Sequence, residues 1–203
     1  MATIAERPEV SPRTPSRWGY GWTIADLASL PDQLAGKPVK WELWDGELVP
    51  LAPPGEDHAI VGGYLCTELG IHGRKSGAGW VLTEVSVTFG EEENTLLIPD
   101  LAFKTQEQIS ASKLPETVAP TVPAIVAEIR SPTNRAGQIR EKIERYLAGG
   151  AQLVWDIDPQ RRRVTAHRPG EAPVVFQGTD TLTAEGIIPD FSLPLEELFS
   201  GLG

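Results

Sequence analysis

The chain has 203 residues, 40% hydrophobic and 23% charged, which is ordinary for a soluble globular protein and enough to bury a real core. No apolar run approaches the roughly 18 residues that span a bilayer, and the first residues lack the apolar segment of a signal peptide, so no membrane role is expected. A single cysteine, Cys66, excludes an intrachain disulfide and points to a reducing cytoplasm.

The net charge of −10 argues against a nucleic-acid partner, but it is spread unevenly. Residues 130–168 hold nine Lys/Arg against four Asp/Glu, which leaves −15 on the remainder. A basic face on an acidic body is compatible with phosphate contact. A solvated helix and hairpin would account for the same charges.

Residues 1–20 carry scattered Pro and Ser and read as a disordered tail. Residues 21–200 show no internal repeat or linker and read as one domain. Thr23 with Asp26 three residues on resembles a capping box and predicts a short helix ending before Pro31. Asp45-Gly46 sits between two β-rich runs, Val39 to Trp44 and Glu47 to Leu51, a strong type I′ hairpin signal. Asp57 is the expected N-cap of a helix to about Arg74, with Ile60, Tyr64, Leu65 and Leu69 as its apolar stripe. Gly62-Gly63 weakens that helix and suggests close packing there. Trp80 to Phe89 alternates as one half-buried strand.

Leu96 to Lys104 is the next strand, interrupted by Pro99-Asp100, which implies an edge or a bulge. A long connection follows. Pro123 to Ile129 is a nearly continuous apolar run that reads as a strand covered on both faces, yet it contains Glu128. Ser131-Pro132 stops it. Arg135 to Leu147 is a helix, with Ile139, Ile143, Tyr146 and Leu147 facing inward and Lys142 at the edge of that stripe. Gly149-Gly150 ends it. Strands over 152–157, 163–168 and 173–176 and a closing helix from Phe191 to Phe199 complete the order. Helices interleaved with strands predict a mixed β-sheet flanked by helices, in the α/β or α+β class, with an N-terminal hairpin.

A carboxylate in an apolar strand needs a partner, because burying it unpaired costs several kcal/mol or forces protonation. Asp100 lies 28 positions before Glu128, far enough for their two strands to lie side by side. Two such acids projecting together form a hard-oxygen site suited to Mg²⁺ or Mn²⁺. Lys142 could reach it, orient a metal-bound water and stabilise developing phosphorane charge. Arg135 and Arg145 are candidates for a DNA backbone. The bland readings are a turn aspartate at Asp100, an Arg130 partner at Glu128, a solvated lysine at Lys142, and a surface or capping histidine at His58. Three histidines and one cysteine do not make a usual zinc site, and no nucleophile-elbow serine or P-loop is present.

The ordered set WTIADLASLP, WELWDGELV, a helix opened by His58, IPDLAF, VPAIVAEIRSP, REKIERYLAGGAQLVWDIDP and SLPLEELF resembles the Uma-two family within the PD-(D/E)XK restriction-endonuclease-like superfamily. The resemblance implies a metal-dependent DNA endonuclease, with Asp100 the acid of the PD motif and Glu128 the second acid. It places Arg130 where the wider superfamily has lysine. Lys142 matches the helix lysine this family uses instead, and Tyr146 its helix tyrosine. Glu42 matches an early glutamate, either a ligand of a second metal or the group that positions Lys142. Gln138 stands where relatives often have aspartate. On this reading Asp100, Glu128 and the Ile129 carbonyl bind the metal, Arg130, Arg135 and Arg145 meet DNA, and a homodimer cuts two strands. Lys142→Ala should then abolish cleavage and leave the fold intact. The rivals are a non-cleaving nucleic-acid-binding module and a structural role, with the acids ion-paired to Arg130 and Arg135.

Overall fold

The computed structural model describes residues 19–90, 93–111, 118–119, 122–131 and 136–203. The tail expected over residues 1–20 lies almost wholly outside them, as does Arg135.

The chain opens with a 3-10 helix, Ile24–Ser29. Asp26 accepts from the Thr23 backbone N–H at 2.8 Å and from its hydroxyl at 2.7 Å, so the expected cap forms. Two short strands, β1 (Gln33–Leu34) and β2 (Lys37–Pro38), lead into the hairpin of β3 (Lys40–Trp44) and β4 (Glu47–Leu51). Asp45 and Gly46 have φ of 50° and 83°, the two positive values that a type I′ turn requires.

Helix α1 (Glu56–Ser76) differs from expectation at its start and in its buried face. Its N-cap is Gly55, and Glu56 and Asp57 fall in the first turn, where carboxylates suit the helix dipole. The buried positions are Val61, Leu65, Leu69 and Gly73. Gly73 sets that rotation, since a Cβ there would meet Phe103 at 2.6 Å and the Gly79 carbonyl at 3.0 Å.

The strand expected from Trp80 to Phe89 is two strands, β5 (Gly79–Leu82) and β6 (Ser86–Thr88), in different sheets. The break falls at Glu84, left-handed at φ 59° and paired with Lys40 at 2.7 Å. Pro99-Asp100 breaks the next run in the same way, into β7 (Leu96–Leu97) and β8 (Leu101–Thr105). β8 is not an edge: it lies between two neighbours, and the proline marks a return from one sheet to the other. There follow α2 (Gln106–Ala111), β9 (Val118–Ala119), β10 (Ile125–Ile129), α3 (Ala136–Ala148), β11 (Leu153–Asp158), β12 (Arg163–His167) and β13 (Val174–Gln177). The expected closing helix begins instead as a strand. β14 (Thr181–Thr183) pairs with β15 (Ser192–Pro194), and only Leu195–Leu198 is helical, as α4. Leu193 is spent on a ladder partner, Leu182, and Pro194 starts the helix.

Six strands form the main sheet in the order β13-β12-β11-β10-β8-β5, and five form the second, β4-β3-β7-β6-β9. Within the main sheet only β10 and β11 are parallel, joined through α3 as a βαβ unit. The mixed α+β architecture with an N-terminal hairpin is therefore as expected. One face of the main sheet packs Phe103, Ile129 and Trp155 against α1, α4 and the β14–β15 ribbon. The other packs Val126 and Val154 against Ile139, Ile143 and Tyr146 of α3. Trp41, Leu43, Leu48 and Leu96 make a smaller core with the 3-10 helix. Among the described residues, no helix is long and apolar enough to cross a membrane.

Two glycines give opposite expectations by urea denaturation. Gly79 has φ 155°, and a Cβ would lie 2.0 Å from the Lys104 carbonyl oxygen, so Gly79→Ala should destabilise by about 3 kcal/mol or more. Gly63 is exposed in α1 with nothing within 4 Å of a Cβ, so Gly63→Ala should stabilise by about 0.5–1 kcal/mol.

Candidate active site

Glu128 occupies the next-to-last position of β10, the strand flanked by β11 and β8, so the sheet itself removes it from water. It is 3% exposed. Its compensation comes from α3, which the Ile139–Ile143–Tyr146 stripe clamps to the sheet. Lys142 Nζ lies 3.1 and 3.0 Å from the two Glu128 carboxylate oxygens, and the Tyr146 hydroxyl donates to Oε1 at 3.0 Å. The lysine expected at the edge of the stripe thus turns inward.

Lys142 also meets the second sheet. Its Nζ is 2.7 Å from Oε1 of Glu42, which projects from β3 and is wholly buried. The Ile98 N–H donates to the same Glu42 oxygen at 2.8 Å, and Trp44 Nε1 donates to Oε2 at 3.0 Å. Lys142 further donates to the Ile98 carbonyl at 3.4 Å. Glu42 therefore has both oxygens engaged and is not among the residues lining the neighbouring cavity.

Asp100 sits at the return between sheets, one step beyond the Ala127–Leu101 pairing of β10 and β8. Its Oδ2 accepts the Ile129 N–H at 2.7 Å, and its Oδ1 is 3.1 Å from His58 Nε2 on α1. A cavity of about 770 Å³ opens beside it, lined among others by His58, Asp100, Glu128, Ile129 and Lys142. Among the described residues, no group of three or more His, Cys, Asp or Glu is arranged to hold a metal ion by itself.

The electrostatics follow from three carboxylates around one ammonium. Burial pushes Glu128 up to about 8; Lys142 opposes the rise, and Asp100 and Glu42 add to it. Burial alone would lower Lys142, but Glu128 and Glu42 outweigh it and hold the ammonium above its ordinary range. Burial and then Glu128 raise Tyr146, which remains a donor.

The expected cationic contacts do not gather at this site. Arg130 is turned to Asp156 of β11 in a two-pronged pair at 2.7 and 2.6 Å, so it neither occupies a lysine's place beside the acids nor pairs with Asp100 or Glu128. Arg145 pairs with Asp45 of the hairpin turn and with Glu141, and covers the Trp44 ring at 5.9 Å. His58, read from sequence as a surface or capping residue, faces the cavity. Its only local signal was its place in the first turn of α1, and its partner is 42 positions away.

A solved structure of "a putative nuclease belonging to DUF820" from Anabaena variabilis superposes with a TM-score of 0.77 at 20% identity, over 89% of this chain and 98% of that one. The fold is therefore one also found in a protein described as a nuclease. The family model described as "Uma2: Putative restriction endonuclease" matches residues 25–196, and the chain belongs to that family. No curated protein matches it.

Two stability measurements check the charge cluster. Glu128 has its folded pKa raised from 4.5 to about 8, so its contribution is full below about pH 4.5 and is lost as pH climbs toward 8. Metal-free protein should therefore weaken between pH 5 and 8, and Glu128→Gln should flatten that slope. Lys142→Met leaves Glu42 and Glu128 buried without their cation and should cost roughly 3–5 kcal/mol in urea denaturation at pH 7. Lys142→Ala removes the same ammonium and should cost stability as well as activity.

Proposed function

We propose that the protein is a Mg²⁺- or Mn²⁺-dependent endonuclease that hydrolyses DNA phosphodiester bonds. One observation carries the reading: Asp100, just ahead of β8, and Glu128 of the neighbouring β10 border one cavity, with Lys142 tied to Glu128 in its lining. Family membership supports nuclease chemistry in general.

The donor set fits a hard divalent cation. Asp100 and Glu128 offer carboxylate oxygens, and the Ile129 carbonyl is a third candidate. When bound, such an ion polarises a phosphodiester and lowers the pKa of its water. The chain's own residues do the rest. The Ile129 N–H fixes Asp100. Tyr146 and Lys142 fix Glu128 and keep it from standing alone in the interior. Glu42 acts as a positioning residue that holds Lys142 at 2.7 Å. Lys142 places positive charge where a phosphorane would gather negative charge and where an attacking water would be oriented.

Contacts to the DNA backbone by Arg130 and Arg145 would require exchanging their carboxylate partners for phosphate. The single thiol accords with a cytoplasmic setting. A homodimer would present two such sites to two strands. The rival reading, a scaffold that binds nucleic acid without cutting, draws on the net charge of −10 and on the fully engaged Lys142.

Plasmid nicking with Mn²⁺ separates the two. Asp100→Asn and Glu128→Gln should each lower the nicking rate by roughly 100-fold or more while the variants remain folded. Nicking undiminished in both variants, or no cleavage by the wild type with any divalent ion, would remove the proposal.

A further inference from the structure

We infer that Lys40 is a phosphate-binding residue of the same cavity: it takes the nucleic-acid phosphodiester next to the one cleaved at Asp100 and Glu128, and Glu84 occupies it until then. The inference rests on the reading of this cavity as a nuclease site.

The first observation is where the cations are. Among the described residues, Lys40 and Lys142 are the only lysines or arginines that line the cavity. The Lys142 ammonium is taken up by Glu42, Glu128 and the Ile98 carbonyl. Arg130 and Arg145 do not line it. Lys40 differs in kind. Its side chain is 50% exposed, and its partner, Glu84 at 2.7 Å, is 73% exposed. A pair that open to water is worth little, so a phosphate replaces the carboxylate at small cost. The Asp156 carboxylate that holds Arg130 is 7% exposed, and it would be left buried without its cation by the same exchange.

The second observation is direction. Lys40 and Glu42 are two residues apart on β3, and alternate residues of a strand share a face. Glu42 projects to Lys142 beside the two acids. Lys40 starts from the same face, roughly 7 Å farther along the strand. That offset suits a neighbouring phosphate rather than the scissile one.

The third is Glu84 itself. It is left-handed at φ 59°, a conformation that residues other than glycine seldom adopt, at the crossover between β5 and β6. Here a carboxylate meets Lys40 inside the cavity lining. With Glu84 in place the described lining holds two cations against three carboxylates, Glu84, Asp100 and Glu128. Glu84 is therefore the carboxylate that an incoming phosphate displaces.

The test is fluorescence anisotropy of a short labelled DNA duplex titrated with the protein in EDTA, over a series of KCl concentrations. Lys40→Gln should bind about 5-fold more weakly, and the slope of log affinity against log salt should shrink by about 0.9, the share of one phosphate contact. Lys40→Arg should keep both values. Glu84→Gln should bind about 3-fold more tightly, because Lys40 is then unmasked. That gain should vanish when Lys40→Gln is added. An ion pair with no substrate role leaves affinity and slope unmoved, and this result in Lys40→Gln overturns the inference. So does a Glu84→Gln gain that persists without Lys40, which is bulk charge, and so does a wild type that binds no DNA. Wild-type binding without nicking in Mn²⁺ would end the nuclease reading, and the variants would still decide whether Lys40 meets a phosphate.

Discussion

The rest of the site depends on one buried ammonium. Lys142 Nζ is held by Glu42, Glu128 and the Ile98 carbonyl, so it draws a partner from the hairpin strand β3, one from the central strand β10 and one from the segment ahead of Asp100. Removing it would strip both buried glutamates of the cation they share, and taking charge out of water costs several kcal/mol per ion. Dispersion packing alone would allow α3 to slide or rotate slightly. The three-way contact does not, because a shift of one residue would carry the ammonium out of reach.

That contact also ranks the surrounding acids. Glu42 is enclosed and fully bonded, Glu128 is enclosed but borders the cavity, and Asp100 is partly open to it. Moving outward, the carboxylates become less committed to the protein. Such a gradient suits a site whose inner groups keep geometry and whose outer groups meet a ligand.

Much of this was legible in the chain, for reasons that differ by residue. Asp45-Gly46 dictated a type I′ turn because few other dipeptides tolerate two positive φ values. The apolar run around Glu128 and the 3.6-residue stripe of α3 placed β10 and Lys142, because burial on a sheet face leaves a periodic trace. What leaves no periodic trace was missed. The alternation of residues 80–89 continues through Glu84, so the crossing between sheets is invisible in it. Gly73 rather than a bulky residue chose the buried face of α1, which no count of apolar positions would reveal. The pairings of His58 and Arg130 were not legible because their partners, Asp100 and Asp156, lie far along the chain. The residues alone pointed to Asp100, Glu128 and Lys142; Glu42 needed the family resemblance, its partner being 100 positions away.

The division of the strands between two sheets carries a consequence for folding. Glu42 belongs to the five-stranded sheet, Glu128 to the six-stranded one, and the chain crosses between them at Glu84 and again at Pro99-Asp100. An intermediate with only the six-stranded sheet in place would pair Glu128 with Lys142 and leave Glu42 in water without that cation. The Lys142–Glu42 half of the cluster therefore adds nothing to early, local structure and acts only at the final docking of the sheets, through a contact of long sequence separation. It works as a proofreading element: a chain that docks the hairpin out of register meets an unpaired buried carboxylate, and that state is rejected in favour of the one in which the site is complete.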